Sequence, residues 1–301
     1  MTKILITGAS GFLGTRLVRR LVTAGHEVWA IARHVPEPKV PQVHWLVQDL
    51  AADHWTIDLP SRIDAVIHLA QSPHYRDFPN QAKDIYAVAA GATMKLLDWA
   101  WRAGAKHFVL TSTGGLYGVS KGPALESDPL PEQYSQLGFY FAAKRASELI
   151  ALQYSRELAT VVLRCFFVYG SAQSPKMLMP RILESVRAGR PVQLQGDDGM
   201  VFNPIHVDDA VRAVEACLKL TESRIVNVAG PEVTSLRAVA ESLGQIVGRE
   251  PVFEINNTMQ PNHLVADIKR MEHALGTPRI GIEAGLSELC GALQPLLPPG
   301  A

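Results

Sequence analysis

Tyr140 and Lys144, in the stretch Tyr140-Phe141-Ala142-Ala143-Lys144, stand at i and i+4 and would share one face of a helix. A lysine cation beside a phenol favours the phenolate. It lowers the tyrosine pKa and equips the ring to exchange a proton with an alcohol or carbonyl near neutral pH. Alone the pair means little, because the same spacing is common on solvated helices. It gains meaning from Thr111-Ser112-Thr113-Gly114-Gly115-Leu116-Tyr117-Gly118, where hydroxyls and glycines follow the apolar run Lys106 to Leu110. Such a segment is either a plain strand end and turn, or a place where a hydroxyl is held out to the oxygen that the phenol serves.

A third feature lies near the start of the chain. Thr7-Gly8-Ala9-Ser10-Gly11-Phe12-Leu13-Gly14 sets glycines at 8, 11 and 14 between a first strand and a first helix. That spacing suits a dinucleotide. Glycine permits the turn, lets the backbone approach a pyrophosphate and lets helix lie close to strand, while the helix N-terminus offers free N–H groups and a positive dipole. At the end of the second strand a carboxylate would bond a ribose 2′-hydroxyl, whereas a basic group accommodates a 2′-phosphate. The chain has Ala30-Ile31-Ala32-Arg33-His34 there, and Arg33 can form charge-assisted bonds to phosphate. This favours NADP(H) and keeps NAD(H) open; the plain alternative for Arg33 is a solvated side chain in a loop with Pro36 and Pro38.

Bringing these features together requires a sheet. Near-continuous apolar runs at Ile4 to Ile6, Val28 to Ile31, Val43 to Val47, Ala65 to Leu69, Phe108 to Leu110 and Val161 to Val168 read as strands buried on both faces. Helical patterns fall between them, over Phe12 to Ala24, about Gln81 to Ala103 and Phe139 to Leu158. The alternation predicts an α/β fold, a Rossmann-type doubly wound parallel sheet with helices on both faces. Residues 1–170 are assigned to a dinucleotide-binding domain and 171–301 mainly to a smaller C-terminal substrate lobe, some of whose segments return to the sheet. The rhythm changes there because Pro175, Pro180, Pro191 and Pro204 break the chain into shorter pieces, with strands near Val192 and over Ile225 to Val228. No repeat or Gly/Ser linker separates the two parts.

Composition narrows the partners. The 301 residues are 47% hydrophobic and 19% charged, as in ordinary globular proteins. Lysine plus arginine equals aspartate plus glutamate at 29 each, so no net field recruits nucleic acid or an anionic membrane, and a small-molecule partner is expected. Cys165, Cys217 and Cys290 are odd in number and set in apolar surroundings, which fits free thiols in the cytoplasm rather than a disulfide frame or zinc site. No signal segment opens the sequence, and no apolar run reaches the roughly twenty residues that span a bilayer. His68, His74, His107 and His206 share no metal-ligand spacing with one another or with the cysteines, so no metal is expected.

Taken in order along the chain, these segments resemble the extended short-chain dehydrogenase/reductase superfamily, in its NAD(P)-dependent epimerase/dehydratase branch. Thr7 to Gly14 resembles its cofactor loop, Gln48-Asp49-Leu50 the segment whose aspartate meets the adenine, and Val66-Ile67-His68-Leu69-Ala70 the strand beside the cofactor. Ser112 to Gly118 is similar to Ser-(Ser/Thr)-x-x-x-Tyr-Gly, and Tyr140, Lys144 and Glu148 to Tyr-x-x-x-Lys-x-x-x-Glu. Leu163 to Gly170 resembles the segment passing the nicotinamide, and Asn203 to Ala210 the strand-to-helix passage of the substrate lobe.

The resemblance implies that Thr113 is the catalytic hydroxyl, that Tyr140 is the acid/base, and that Lys144 lowers the phenol pKa and binds the nicotinamide ribose. Cofactor contacts are implied for Gly8, Ser10, Gly11, Phe12, Leu13, Gly14, Arg33, Asp49, Leu50, Leu69, Ala70, Tyr140, Lys144 and Phe167. Substrate contacts are implied for Gln71, Thr113, Gly114, Phe167 and Asn203. A homodimer through the two long helices near residues 90 and 150 is also implied.

Departures from the pattern carry information of their own. Related dehydratases have Asp-Glu where this chain has Gly114-Gly115, so elimination by that route lacks its acid and base. Sugar-nucleotide epimerases carry an asparagine where Phe167 stands and an arginine where Phe202 stands. The two rings are expected to make the wall apolar, where an unpaired diphosphate would be costly. The family's helix asparagine is Ala89 here, which is expected to alter local helix geometry or a proton relay. Arg164 is read as a structural ion-pair partner, and Trp99 and Trp101 as packing or subunit-contact groups. The outcome is an NAD(P)-dependent oxidoreductase or epimerase acting by hydride transfer at a hydroxyl or carbonyl carbon of a small molecule such as a sugar derivative. A non-catalytic dinucleotide-binding redox sensor is the alternative from another class.

Overall fold

Ile4 and Ile6 pack into one hydrophobic layer and Leu5 into the other, the period-two pattern of a strand covered on both faces. In the computed structural model, which describes residues 1–119, 122–134, 137–258 and 261–292, that strand is β1 (Lys3–Thr7). It is followed by α1 (Phe12–Thr23), β2 (Glu27–Ala32), β3 (Val43–Val47) and β4 (Ala65–His68). Next come α2 (Ala82–Tyr86), a π-helical turn (Ala87–Gly91), α3 (Ala92–Arg102), β5 (His107–Thr113), a single 3-10 turn (Gly114–Tyr117), α4 (Gly138–Gln153) and β6 (Ala159–Cys165). The later chain supplies β7 (Val168–Tyr169), α5 (Leu178–Ala188), β8 (Val192–Gln195), β9 (Val201–Phe202), β10 (Ile205–His206) and α6 (Val207–Ala216). It closes with β11 (Arg224–Val228), β12 (Thr234–Ser235), α7 (Leu236–Val247), β13 (Phe253–Asn256), α8 (Lys269–Leu275) and α9 (Ile282–Ala292).

Seven of these strands form one parallel sheet in the order β11-β6-β5-β4-β1-β2-β3. Helices α1, α6 and α8 cover one face through Leu17, Leu21, Val214 and Met271; α3 and α4 cover the other through Leu96, Leu97 and Ala151. Each fully buried leucine or valine in these layers contributes roughly 1.5–3 kcal/mol. Strand order reverses between β1 and β4. At such a switch point the loops leaving the carboxyl ends diverge and open a cleft. A separate core of Leu183, Leu194, Phe202, Leu243 and Leu289 unites α5, α7 and α9 with the small β8–β13 sheet.

Two expected elements are interrupted. The helix over residues 81–103 contains the π-helical turn, whose backbone at Val88 and Ala89 bonds the buried His68 ring. Ala89 there packs against Tyr140 and Ala143 of α4, so the small residue in place of the family's asparagine is filled by the neighbouring helix. The run Val161 to Val168 is also broken, because Phe167 adopts φ +41°, a left-handed conformation that ends β6 and starts β7. Its side chain is thereby turned out of the strand's alternation.

Candidate active site

Strands β5 and β6 pair so that Ser112 lies beside Arg164 and Thr113 beside Cys165. At the end of β5, Thr113 Oγ1 accepts from Gly115 N at 3.1 Å and caps the 3-10 turn, which fixes the hydroxyl's direction. Tyr140, Lys144 and Glu148 form a stripe on α4 that is 7%, 3% and 3% exposed, pressed onto these strands. Glu148 anchors the stripe: both its oxygens accept from Arg164, the shortest bond being 2.7 Å from Nη2. Arg164 also donates to the Tyr117 hydroxyl at 2.9 Å, and that hydroxyl donates to Asn227 Oδ1 at 2.7 Å. Arg164 is therefore the structural ion-pair partner expected, and Tyr117 belongs to the same buried network.

Tyr140 and Lys144 are arranged differently from the simple helical-face expectation. Lys144 Nζ donates to the Thr111 carbonyl at 2.9 Å, beneath the site, and burial lowers its pKa to about 8. Burial pushes the Tyr140 phenol well above its ordinary value; the pull downward comes from the Thr113 hydroxyl, not from the lysine. The phenol donates to Gln71 Oε1 at 2.9 Å. His68 sits behind, its Nδ1 2.6 Å from Thr7 Oγ1, and burial, aided by the Lys144 charge, lowers its pKa to about 3. A neutral imidazole thus ties β1, β4 and the π-helical turn together.

Two adjoining cavities meet at this edge and share Phe12, Gln71, Pro73 and Val168. The first, of about 380 Å³, is lined by Gly8, Ser10, Gly11, Phe12, Leu13 and Gly14 of the loop, and by Arg33, Asp49, Leu50, Leu69 and Ala70. Gly8 has φ +67°, and a Cβ there would lie 2.8 Å from Ala70 N; a Cβ at Gly14 would collide with the Gly8 carbonyl. No side chain caps the first turn of α1. Backbone kept bare by glycine, facing a helix N-terminus at a switch point, fits a dinucleotide pyrophosphate.

The second cavity, about 1110 Å³, is lined by Ser112, Thr113, Tyr140, Gln71 and Phe167, together with residues that no motif marks: Tyr75, Tyr134, Phe141, Met177, Met179 and Met200. Most of these come from irregular segments without periodicity, so the sequence offers little signal for them. Three expected contacts sit elsewhere. Asn203 is buried, its amide bonding the Ala266 backbone in both directions (2.9 and 3.0 Å), so it clamps two segments of the second lobe. Phe202 lies behind Phe167, edge to face at 5.0 Å, and supports the wall without lining it. Gly114 is buried beneath the floor, and of the pair it is Gly115 that lines the cavity.

The Gly-Gly pair has a steric cause. A Cβ at Gly114 would lie 2.6 Å from the Phe166 ring, and one at Gly115 would collide with the Phe141 ring. Aromatic rings occupy the space that an acid pair would need. Among the described residues His206, Asp208 and Glu288 converge within 4.8 Å, a cluster the sequence spacing conceals. Arg16 already supplies its cation, 3.0 Å from Asp208 and 3.5 Å from Glu288.

The NAD dependent epimerase/dehydratase family matches residues 4–229. The chain belongs to this family. Among curated relatives of this family member, a probable UDP-glucuronate 4-epimerase of Rhizobium meliloti is 26% identical over 92% of this chain and 84% of its own. The dTDP-glucose 4,6-dehydratase of Streptomyces griseus is 28% identical over 100% and 98%. Among solved structures, MoeE5 in complex with UDP-glucuronic acid and NAD superposes with a TM-score of 0.82 at 28% identity, covering 96% of this chain and 98% of that one. The protein is thus an enzyme of the extended short-chain dehydrogenase/reductase type, built for hydride transfer. These relatives give the non-catalytic sensor no support.

Proposed function

We propose that the protein is an NAD(P)-dependent reductase or epimerase in which Tyr140 is the acid/base and Thr113 bonds the same substrate oxygen. One observation carries this reading: the phenol of α4 and the hydroxyl ending β5 line one cavity that opens onto the glycine-loop cleft. When bound, the nicotinamide supplies or accepts the hydride. In the reducing direction the carbonyl carbon gains that hydride while its oxygen takes the Tyr140 proton; oxidation reverses both transfers. Thr113, fixed by its cap bond, orients the oxygen, and Lys144, held by the Thr111 carbonyl, places a cation beneath the ribose. Gln71, already bonded to the phenol, keeps it aimed until substrate arrives.

Cofactor choice rests on Arg33, which lines the adenine end of the cleft where β2 stops without a carboxylate. NADP(H) is the favoured form and NAD(H) the alternative, the neighbouring structures having been solved with NAD. Sugar derivatives are one substrate class, on the relatives' names. Residues 171–301 serve mainly as the substrate lobe. Exposed Met94, Trp101 and Leu149 on α3 and α4 suit a homodimer, and the free thiols suit the cytoplasm. Among the described residues no helix is long and apolar enough to cross a membrane.

The decisive experiment is Tyr140→Phe. It should lower kcat by roughly 10²–10⁴-fold while cofactor affinity stays within twofold. Net loss of reduced-cofactor absorbance during turnover identifies a reductase; product inversion without it identifies an epimerase. Unchanged turnover in Tyr140→Phe refutes the assignment.

A further inference from the structure

The polarity of the larger cavity narrows what it can hold. Arg76 is the one lysine or arginine among its described lining residues. It stands exposed, its Nε donating to the Tyr75 hydroxyl at 2.8 Å, and none of these described lining residues carries a carboxylate. Rings and thioethers make the walls, with Phe141 and Phe167 facing Met177, Met179 and Met200. Two lining polar atoms are buried without a hydrogen-bond partner: Ser112 Oγ, on a residue 6% exposed, and Gln173 Oε1, on a residue 7% exposed. The Gln173 amide nitrogen is engaged with the Val168 carbonyl at 2.7 Å, so its oxygen is oriented and can only accept.

We infer that this cavity takes a neutral, mainly apolar ketone or alcohol carrying a second hydroxyl or N–H donor, in place of a nucleoside-diphosphate sugar. A diphosphate brings two negative charges and only acceptor oxygens. Among the described lining residues it would meet no cation but the exposed Arg76, whose Nε is engaged with Tyr75, and the Gln173 oxygen would repel it. A neutral donor instead satisfies Gln173, a carbonyl or hydroxyl satisfies Ser112, and the unbranched methionines adjust to an apolar body. The inference rests on the hydride-transfer reading and specifies its substrate.

The test uses the intact protein with saturating NADPH, titrated separately with tetralone, a hydroxylated tetralone, UDP-glucose and UDP. Nicotinamide fluorescence and melting temperature report binding. Both ketones should bind, the hydroxylated one more tightly, while UDP-glucose and UDP shift neither signal at millimolar concentration. Ser112→Ala removes a hydroxyl that has no partner, so the ligand-free melting temperature should hold or rise while ketone affinity falls roughly five- to tenfold. Gln173→Leu should erase the preference for the hydroxylated ketone. Micromolar binding of UDP-glucose overturns the inference, as does failure of both ketones to bind. Turnover separates it from the reading beneath it. Ketones that bind without being reduced count against the chemistry, whereas UDP-glucose epimerised when oxidised NAD(P)+ replaces NADPH counts against the substrate class and leaves the chemistry standing.

Discussion

Replacing Gly114 by alanine tests whether aromatic packing has closed the elimination route. The added methyl would sit 2.6 Å from three atoms of the Phe166 ring. That ring is 1% exposed and stacks on Tyr117 at 5.9 Å between centroids, while the Tyr117 hydroxyl is held by Arg164 and Asn227. The ring therefore has no free direction in which to yield. Overpacking a core costs typically 1–3 kcal/mol, and the rigid surround puts this site at about 2–3 kcal/mol. For a chain of this size that corresponds to a fall of about 4–10 °C in melting temperature. Thermal unfolding followed by circular dichroism measures it, with Phe166→Leu as the partner in a double-mutant cycle. Shrinking the ring should return about 1–2 kcal/mol of the Gly114→Ala loss, so that the double variant is more stable than the sum of the singles. A neutral Gly114→Ala, or strictly additive effects, would show that the ring does not exclude a side chain at 114. The barrier to a dehydratase would then lie elsewhere.

Other perturbations follow from the same contacts. Arg33→Ala should weaken NADPH about 10- to 100-fold and leave NADH unchanged, as measured by fluorescence titration; equal losses for both would remove the 2′-phosphate role. Because burial lowers Lys144 to about 8, kcat/KM should fall above that pH as the cation is lost, and Lys144→Arg should flatten the limb. Its effect on stability has the opposite slope: between about 8 and the ordinary lysine value of 10.5 the unfolded chain binds more protons than the folded one, so stability rises with pH there, and Lys144→Met should abolish the rise. Glu148→Gln leaves the Arg164 guanidinium buried beside a neutral partner and should cost about 3 kcal/mol in denaturant titration, whereas Asp98→Asn, facing the exposed Arg102, should cost less than about 0.5 kcal/mol.

The central sheet was legible because its strands are buried on both faces, so that Ile4 to Ile6 or Phe108 to Leu110 had no other reasonable conformation. The interruptions were not. The π-helical turn keeps the apolar period of an α-helix, and only the bond between its carbonyls and His68 distinguishes it. Phe166 and Phe167 are good strand residues, and the positive φ at 167 is imposed by the later chain, through the pairing of β7 with β10. At the cavities, residues close in sequence fall where their spacing suggested: the loop glycines and Arg33 line the first, and the hydroxyl at the end of β5 lines the second. The clamp made by Asn203 was not readable, because its partner, Ala266, lies 63 residues away. Apart from Phe141 of α4 and Met179 of α5, the aromatic and methionine walls come from segments that carry no period.

Phe167 shows how such a wall can arise without disturbing the fold. A non-glycine residue at φ +41° costs about 1–3 kcal/mol, least for asparagine and more for a bulky ring. An asparagine, the residue the family resemblance implies there, would suit that backbone better than the ring does. The strain is offset on the far side of the ring, where Phe202 packs against it at 5.0 Å within the core of the second lobe. The rings at 167 and 202 therefore pack as one unit. The glycine loop joins β1 to α1, whose apolar residues pack in a different core. That separation leaves the sheet and the glycine loop independent of how the second cavity's wall is packed, in keeping with superposition on a neighbour at 28% identity.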